Sequence, residues 1–149
     1  MLGVIGFLLT IAIIVVIHEW GHYIVARMAG VKILAFSFGF GRVLWRRKEK
    51  RGCEWRLSLW PLGGYVKMLD VAEKTSLEAE GQTFSPAAWA NSFDKKSVWK
   101  RFAVVFAGPA MNLILAVVIY ASLAMLGTYE PSAKLGDPVP ETQAAAAGV

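Results

Sequence analysis

Two histidines and a glutamate offer the clearest chemistry in this sequence: His18-Glu19-Trp20-Gly21-His22, an H-E-x-x-H pattern. On a helix, residues four apart share a face, so both imidazoles can address one metal ion. Glu19 stands beside that face, where a carboxylate can take a proton from a water polarised by the metal. Zinc suits neutral imidazole and lowers the pKa of its water towards neutrality, so a nucleophile forms without a reactive side chain. The chemistry implied is hydrolysis of a peptide bond. A polar helix end resting at a membrane interface would use the same residue types. Against that, these are the only 2 histidines of the chain, and they fall at metal-ligand spacing around a glutamate. Ionisable groups in or near a hydrophobic span are costly and usually functional.

The element that must carry this motif begins with sixteen uncharged, mostly apolar residues, Leu2 to Ile17. Hydrophobic residues make up 56% of the 149, concentrated in two blocks, Met1 to about Ala26 and Phe102 to Tyr129. The second block holds no charge and is long enough to cross a bilayer with some tilt. Two membrane spans follow as the working architecture, since a soluble helical hairpin rarely buries uncharged runs of this length. Of 16 Lys and Arg, all but Lys134 lie between Arg27 and Arg101. The positive-inside rule then places residues 27–101 in the cytoplasm and both chain ends outside it. His18 falls roughly 25 Å along the first helix, towards its cytoplasmic end. A signal peptide would want a basic segment and a small-residue cleavage site, and the first positive charge is Arg27. The lone Cys53 offers neither a disulfide framework nor a zinc-thiolate cluster. Topology accounts for the net charge of +5, so nucleic acid is not expected as a partner.

Between the spans the periodicity changes. The first helix is expected to stop near Gly30, a suitable C-cap. Phe36, Phe38 and Phe40 alternate with Ser37 and Gly39, the period of a strand. Arg46 to Gly52 reads as a charged turn. A second alternating run then sets Trp55, Leu57 and Leu59 on one face, and Glu54, Arg56 and Ser58 on the other. An isolated hairpin is marginal in water, so its apolar face needs the membrane or the first helix as cover. An edge strand beside a protease site could also pair with an extended substrate. Gly39 and Gly41 would let backbones approach closely. Pro61-Leu62-Gly63-Gly64-Tyr65 reads as a turn that ends the second strand, and residues 70–83 as a polar loop. Asp70 and Glu73 in that loop read as solvated carboxylates rather than metal ligands. Ser85-Pro86 opens a short helix, with Trp89 and Phe93 four apart on one face. Lys95, Lys96, Trp99, Lys100 and Arg101 form an interfacial anchor before the second span. In that span Gly108 and Pro109 interrupt the apolar run. Asn112 follows, an amide that either joins the two helices or holds a substrate backbone.

Three stretches taken in order carry a resemblance: His18 to His22, Pro61-Leu62-Gly63-Gly64-Tyr65-Val66-Lys67-Met68, and Arg101 through Phe106-Ala107-Gly108-Pro109-Ala110-Met111-Asn112. Together the chain resembles the site-2 protease family of intramembrane zinc metalloproteases, in its bacterial regulator of sigma-E protease group. The resemblance implies zinc held by His18 and His22, and Glu19 as general base. It implies that Asn112 handles substrate near the active site. It also implies a membrane-associated β-structure whose turn, Gly39-Phe40-Gly41, lies close to that site. The family's third zinc ligand is an aspartate on a later transmembrane helix, beyond one or two PDZ domains. Nothing in this chain matches it, and Leu135 to Ala144 looks like the lead-in to such a PDZ domain. This chain alone is therefore expected to be inactive.

The fold class expected is an α-helical integral membrane protein, two transmembrane helices joined by a cytoplasmic segment with a membrane-associated β-hairpin. Its parts are the first helix (1–29), the hairpin region (30–69), a cytoplasmic loop and interfacial helix (70–101), the second helix (102–129) and an extracytoplasmic tail (130–149). The function expected is zinc endopeptidase activity in a bacterial inner membrane. Its partners would be the lipid bilayer and a membrane-spanning protein substrate, such as an anti-sigma factor or a remnant signal peptide. A catalytically silent membrane module that binds a metal or a partner helix is the alternative. A metal transporter is disfavoured, because residues 2–17 offer no ionisable group for a polar path.

Overall fold

The computed structural model describes residues 2–50, 52–81 and 83–127. Residues 130–149, with the expected PDZ lead-in, and the last two residues of the second apolar block lie outside the described residues. Two long helices frame the molecule: α1 (Leu2–Met28) and α4 (Val98–Leu126), about 40 Å each at 1.5 Å per residue. Both are long and apolar enough to cross a membrane, with mean hydropathy of 2.1 and 2.4. Between them come β1 (Ile33–Lys48), β2 (Glu54–Met68), α2 (Val71–Ala79), α3 (Pro86–Ala90) and one 3-10 turn, Phe93–Lys95.

α1 ends where its sequence supplies a left-handed residue. Gly30 has φ +74; its N–H donates to the Arg27 carbonyl, and Val31 N–H reaches back to Ala26. These two bonds make a Schellman cap, which turns the chain directly into β1.

β1 and β2 form one antiparallel pair, but each strand is bent. Ala35 to Phe38 has partners on both sides, Glu54–Leu57 along one edge and Gly64–Lys67 along the other. The outer part of β1, from Val43 to Lys48, pairs back onto Ser58–Glu54. The bend in β1 falls at Gly39 and Gly41, with φ of +86 and +83, values that strain any residue with a Cβ. Pro61 to Tyr65 therefore does not end β2. The strand runs on to Met68, and Pro61 sits where β2 changes partners and no ladder donor is required of it. The charged turn is also shorter than its sequence suggests: β1 continues to Lys48, and Gly52 (φ +88) closes the turn with its N–H on the Glu49 carbonyl.

Facing is a second difference. The alternation in β2 predicts Ser58 outward and Leu57 and Leu59 inward. Ser58 is buried, its hydroxyl 3.3 Å from that of Ser37, while Leu57 and Leu59 are exposed. The bend carries the outer half of the hairpin away from the core, and the pleat then turns its apolar side outward. Phe36 and Trp55 do find cover, and it comes from Trp20 and Tyr23 of α1, while Phe38 packs on Phe36 and Trp55.

Residues 71–79 are helical rather than loop. Asp70 caps the helix, accepting from Glu73 N–H at 2.7 Å, and Glu73 pairs with Lys67 at 2.6 Å. The D-x-x-E spacing is a capping pattern that polarity alone conceals. α3 starts as its Ser-Pro pair dictates, with Ser85 accepting from Ala88 N–H. It stops at Ala90, however, so Trp89 and Phe93 do not share a helical face. Phe93 instead ties its N–H to the Leu69 carbonyl at 2.7 Å, and Trp89 lies under Lys74 and Lys95.

Candidate metal centre between the two long helices

His18, Glu19 and His22 lie on α1, on the side turned towards α4 and the inner edge of the sheet. The inward residues of α4, Val104, Ala107, Gly108, Met111 and Asn112, recur at helical spacing, so they form one stripe. That stripe meets α1 at very short range. A Cβ on Gly21 would lie 2.5 Å from the Ala107 carbonyl oxygen and 2.6 Å from the Met111 side chain. Glycine at position 21 is what lets the helices come this close.

The same trick makes room at the centre. A Cβ on Gly108 would collide with Nε2 of both His18 and His22. The two imidazoles, 4.9 Å apart between centroids and edge to face, thus aim the same nitrogen at one small space. That space is a cradle of metal size, since zinc binds imidazole nitrogen at about 2.0–2.1 Å. The other ring nitrogens have partners on α4. His22 Nδ1 lies 2.7 Å from the Val104 carbonyl oxygen, and His18 Nδ1 lies 3.1 Å from Asn112 Nδ2. A carbonyl only accepts, so His22 carries its proton on Nδ1 and presents a lone pair at Nε2. The residues present therefore fit a metal ion. Among the described residues, no group of three or more His, Cys, Asp or Glu gathers around it. Cys53 is no candidate ligand: burial pushes its thiol up to about 11, so it stays protonated at neutral pH.

Glu19 is half-buried at the junction of helix and sheet. The backbone N–H of Val66 donates to its carboxylate, and its Cγ lies 3.4 Å from where a Cβ on Gly64 would stand. The same Cβ would stand 2.6 Å from the Ser37 carbonyl oxygen, so glycine at 64 lets β2 pair closely with β1 beside Glu19. A hollow of about 270 Å³ opens here, lined by Glu19, His22, Val66, Met68, Val104 and Phe93 among others. Gly39, Phe40 and Gly41 sit elsewhere on the hairpin, packed on Trp60. Gly39 also borders a second, almost wholly apolar hollow of about 240 Å³, between β1, β2 and Ala12 to Ile17 of α1. The fold thus gathers His18, Glu19, His22 and Asn112 into one site, and sets Gly39 beside the turns of α1 that precede it, with Phe40 stacked on Tyr65 and Gly41 against Trp60.

Residues 6–148 match the model of peptidase family M50. The chain belongs to that family. A protein of Ralstonia nicotianae named "Putative zinc metalloprotease RSc1411" is 47% identical to this chain over 149 residues, 99% of this chain and 32% of its own length. Protease RseP of Yersinia pestis is 39% identical over 144 residues, 97% of this chain and 30% of that one. The regulator of sigma-E protease RseP of Salmonella typhimurium is 36% identical, with the same coverage. The M50 chain spans about a third of the length of these relatives.

Four features of this candidate site are not legible as such in the sequence: the Val104 carbonyl, the Val66 N–H, and the glycines at 64 and 108. The first two are backbone groups and leave no trace in residue type. The glycines do, in Gly63-Gly64 and Gly108-Pro109, but a turn or a helix break accounts for them equally well until the opposing atoms are known.

Proposed function

We propose that the chain is the metal-bearing N-terminal part of an intramembrane zinc endopeptidase, acting on membrane-spanning segments of other proteins. The observation that carries the proposal is the convergence of His18 and His22 Nε2 on the Gly108 cradle, with Glu19 at its edge. His18 and His22 would hold the zinc, joined by a ligand from outside the described residues. When bound, zinc supplies Lewis acidity, towards both water and a peptide carbonyl. Glu19 takes the proton from the attacking water and returns it to the leaving amine. The Val66 N–H steers the carboxylate for this work.

α1 and α4 would cross the bilayer, with residues 27–101 on the cytoplasmic side. Two features support this. Val4, Phe7, Leu9, Leu113, Val117 and Tyr120 are all 60% or more exposed, a belt that lipid covers at no cost and water does not. The basic residues cluster at one end of the two helices. A helical substrate hides its amides in internal hydrogen bonds, so it must become extended before hydrolysis. The edge of β2 at Gly64 to Met68 runs past Glu19 and can take an extended segment by strand addition. Gly39, which borders the apolar hollow, would receive the still-helical part together with its neighbours Phe40 and Gly41. The substrates that suit this reading are membrane-anchored anti-sigma factors and remnant signal peptides in a bacterial inner membrane.

The test uses the protein as its cell makes it, purified in detergent, with a tagged single-span substrate. Cleavage should fall by more than about 1,000-fold in Glu19→Gln while zinc content stays equal to wild type. Equal cleavage by both would remove Glu19 from the mechanism. A second reading, a silent metal-binding module, draws on the pair of ligands gathered among the described residues. Zinc retained with no cleavage of any substrate would establish it.

A further inference from the structure

The geometry points to Asn112 as the positioning residue that sets the tautomer of His18, through its Oδ1 rather than its Nδ2. This rests on the reading of His18 and His22 as metal ligands, and it differs from a substrate-holding role for Asn112. His22 has a partner that can only accept, the Val104 carbonyl at 2.7 Å, so its Nε2 is free to ligate. His18 has instead an amide, which can present either a donor or an acceptor. With Nδ2 facing Nδ1 at 3.1 Å, the imidazole must accept there and carry its proton on Nε2. That proton would point into the Gly108 cradle, and His18 could not then bind a metal. In the same arrangement Asn112 Oδ1 is buried without a hydrogen-bond partner, a costly state for an amide oxygen.

One half-turn of the amide resolves the conflict at His18, and assignment of amide oxygen and nitrogen rests on the hydrogen-bond network in any case. Oδ1 then accepts from Nδ1–H, the orphaned oxygen acquires a donor, and Nε2 presents a lone pair beside that of His22. Both ligands are thereby oriented by acceptors on α4, one from its backbone and one from a side chain two turns further on. Partners of this kind raise ligand basicity, and their loss typically costs about 10–100-fold in metal affinity.

The test compares zinc affinity, by competition with a chromophoric chelator, in the naturally produced protein and in two variants of near-equal size. Asn112→Leu keeps the branched shape and heavy-atom count and removes the acceptor; zinc binding should weaken about 10–100-fold. Asn112→Asp keeps an acceptor and removes the donor; it should bind zinc within a few-fold of wild type. Losses of equal size in both variants, or undiminished binding in the leucine variant, would overturn the inference. An independent measurement needs no variant. In zinc-loaded protein labelled with nitrogen-15, the His18 Nδ1 proton should exchange with solvent as slowly as that of His22. Rapid exchange at His18 alone would overturn the assignment even if both variants misfold. Failure of the wild type to bind zinc would remove the metal reading itself, an outcome distinct from failure of Asn112.

Discussion

α1 makes two contacts of opposite construction. Towards α4 it is built by subtraction: Gly21 and Gly108 remove side chains, so that backbone, imidazole and metal space come within ångströms. Towards the sheet it is built by bulk: Trp20 and Tyr23 meet Phe36 and Trp55 at ring separations of 5.2 to 5.9 Å. The first contact stores function in empty volume, and the second supplies the adhesion that holds Glu19 against β2. Stability and chemistry are therefore separable on two faces of one helix, and substitutions on each should report on one property more than the other.

The largest effect should come from Gly108→Ala. Its methyl group meets only the far ends of two imidazoles, which can swing aside, and alanine is favoured over glycine in a helix by about 1 kcal/mol. Zinc affinity should fall by more than about 100-fold while thermal stability in detergent holds or rises. A variant that loses stability and keeps zinc would erase the contrast between the faces. The converse belongs to Phe36, which is fully buried among the aromatic rings. Phe36→Ala should cost about 3 kcal/mol of stability and leave Gly108 and both histidines in place. Zinc affinity measured well below the melting temperature should change far less than stability does. If it collapses in step, the two faces are one cooperative unit.

The smallest effect belongs to an ion pair on β2 that touches neither helix contact directly. The Arg56 guanidinium, 2.9 Å from Glu54, holds that carboxyl below its usual range. A carboxylate depressed in the folded state adds stability above its ordinary pKa, here 4.5, and that contribution is lost as pH falls through the folded value. Both side chains are partly exposed, so the loss should stay below about 1 kcal/mol. Melting curves of wild type and Glu54→Gln should converge on acidification. A wider gap at low pH would contradict this sign.

Residue types and spacing alone determined a good deal of this M50 chain. Period and hydropathy made residues 1–29 and 102–129 legible as long apolar helices, because a helix of that kind is specified locally by what it lacks; the second begins earlier, at Val98, and takes in Trp99, Lys100 and Arg101. The pairing of His18 and His22 was equally legible, since 3.6 residues per turn places them together whatever surrounds them. Gly30 and Ser85 announced a helix end and a helix start through local dihedral and capping needs.

What spacing could not determine depended on atoms distant in the chain. Continuation of β2 through Pro61 required β1 to change partners there, and a proline read by itself says stop. The inward turn of Ser58 followed from a bend at Gly39 and Gly41, which reversed the exposure that alternation implied. α2 hid behind a polar composition because its stabilising cap is a single side chain on a single N–H. The metal space needed most from the fold. It exists because Gly108, eighty-six residues beyond His22 in sequence, has no Cβ where two imidazole nitrogens converge, and only the packing of α4 on α1 brings that missing atom to the site.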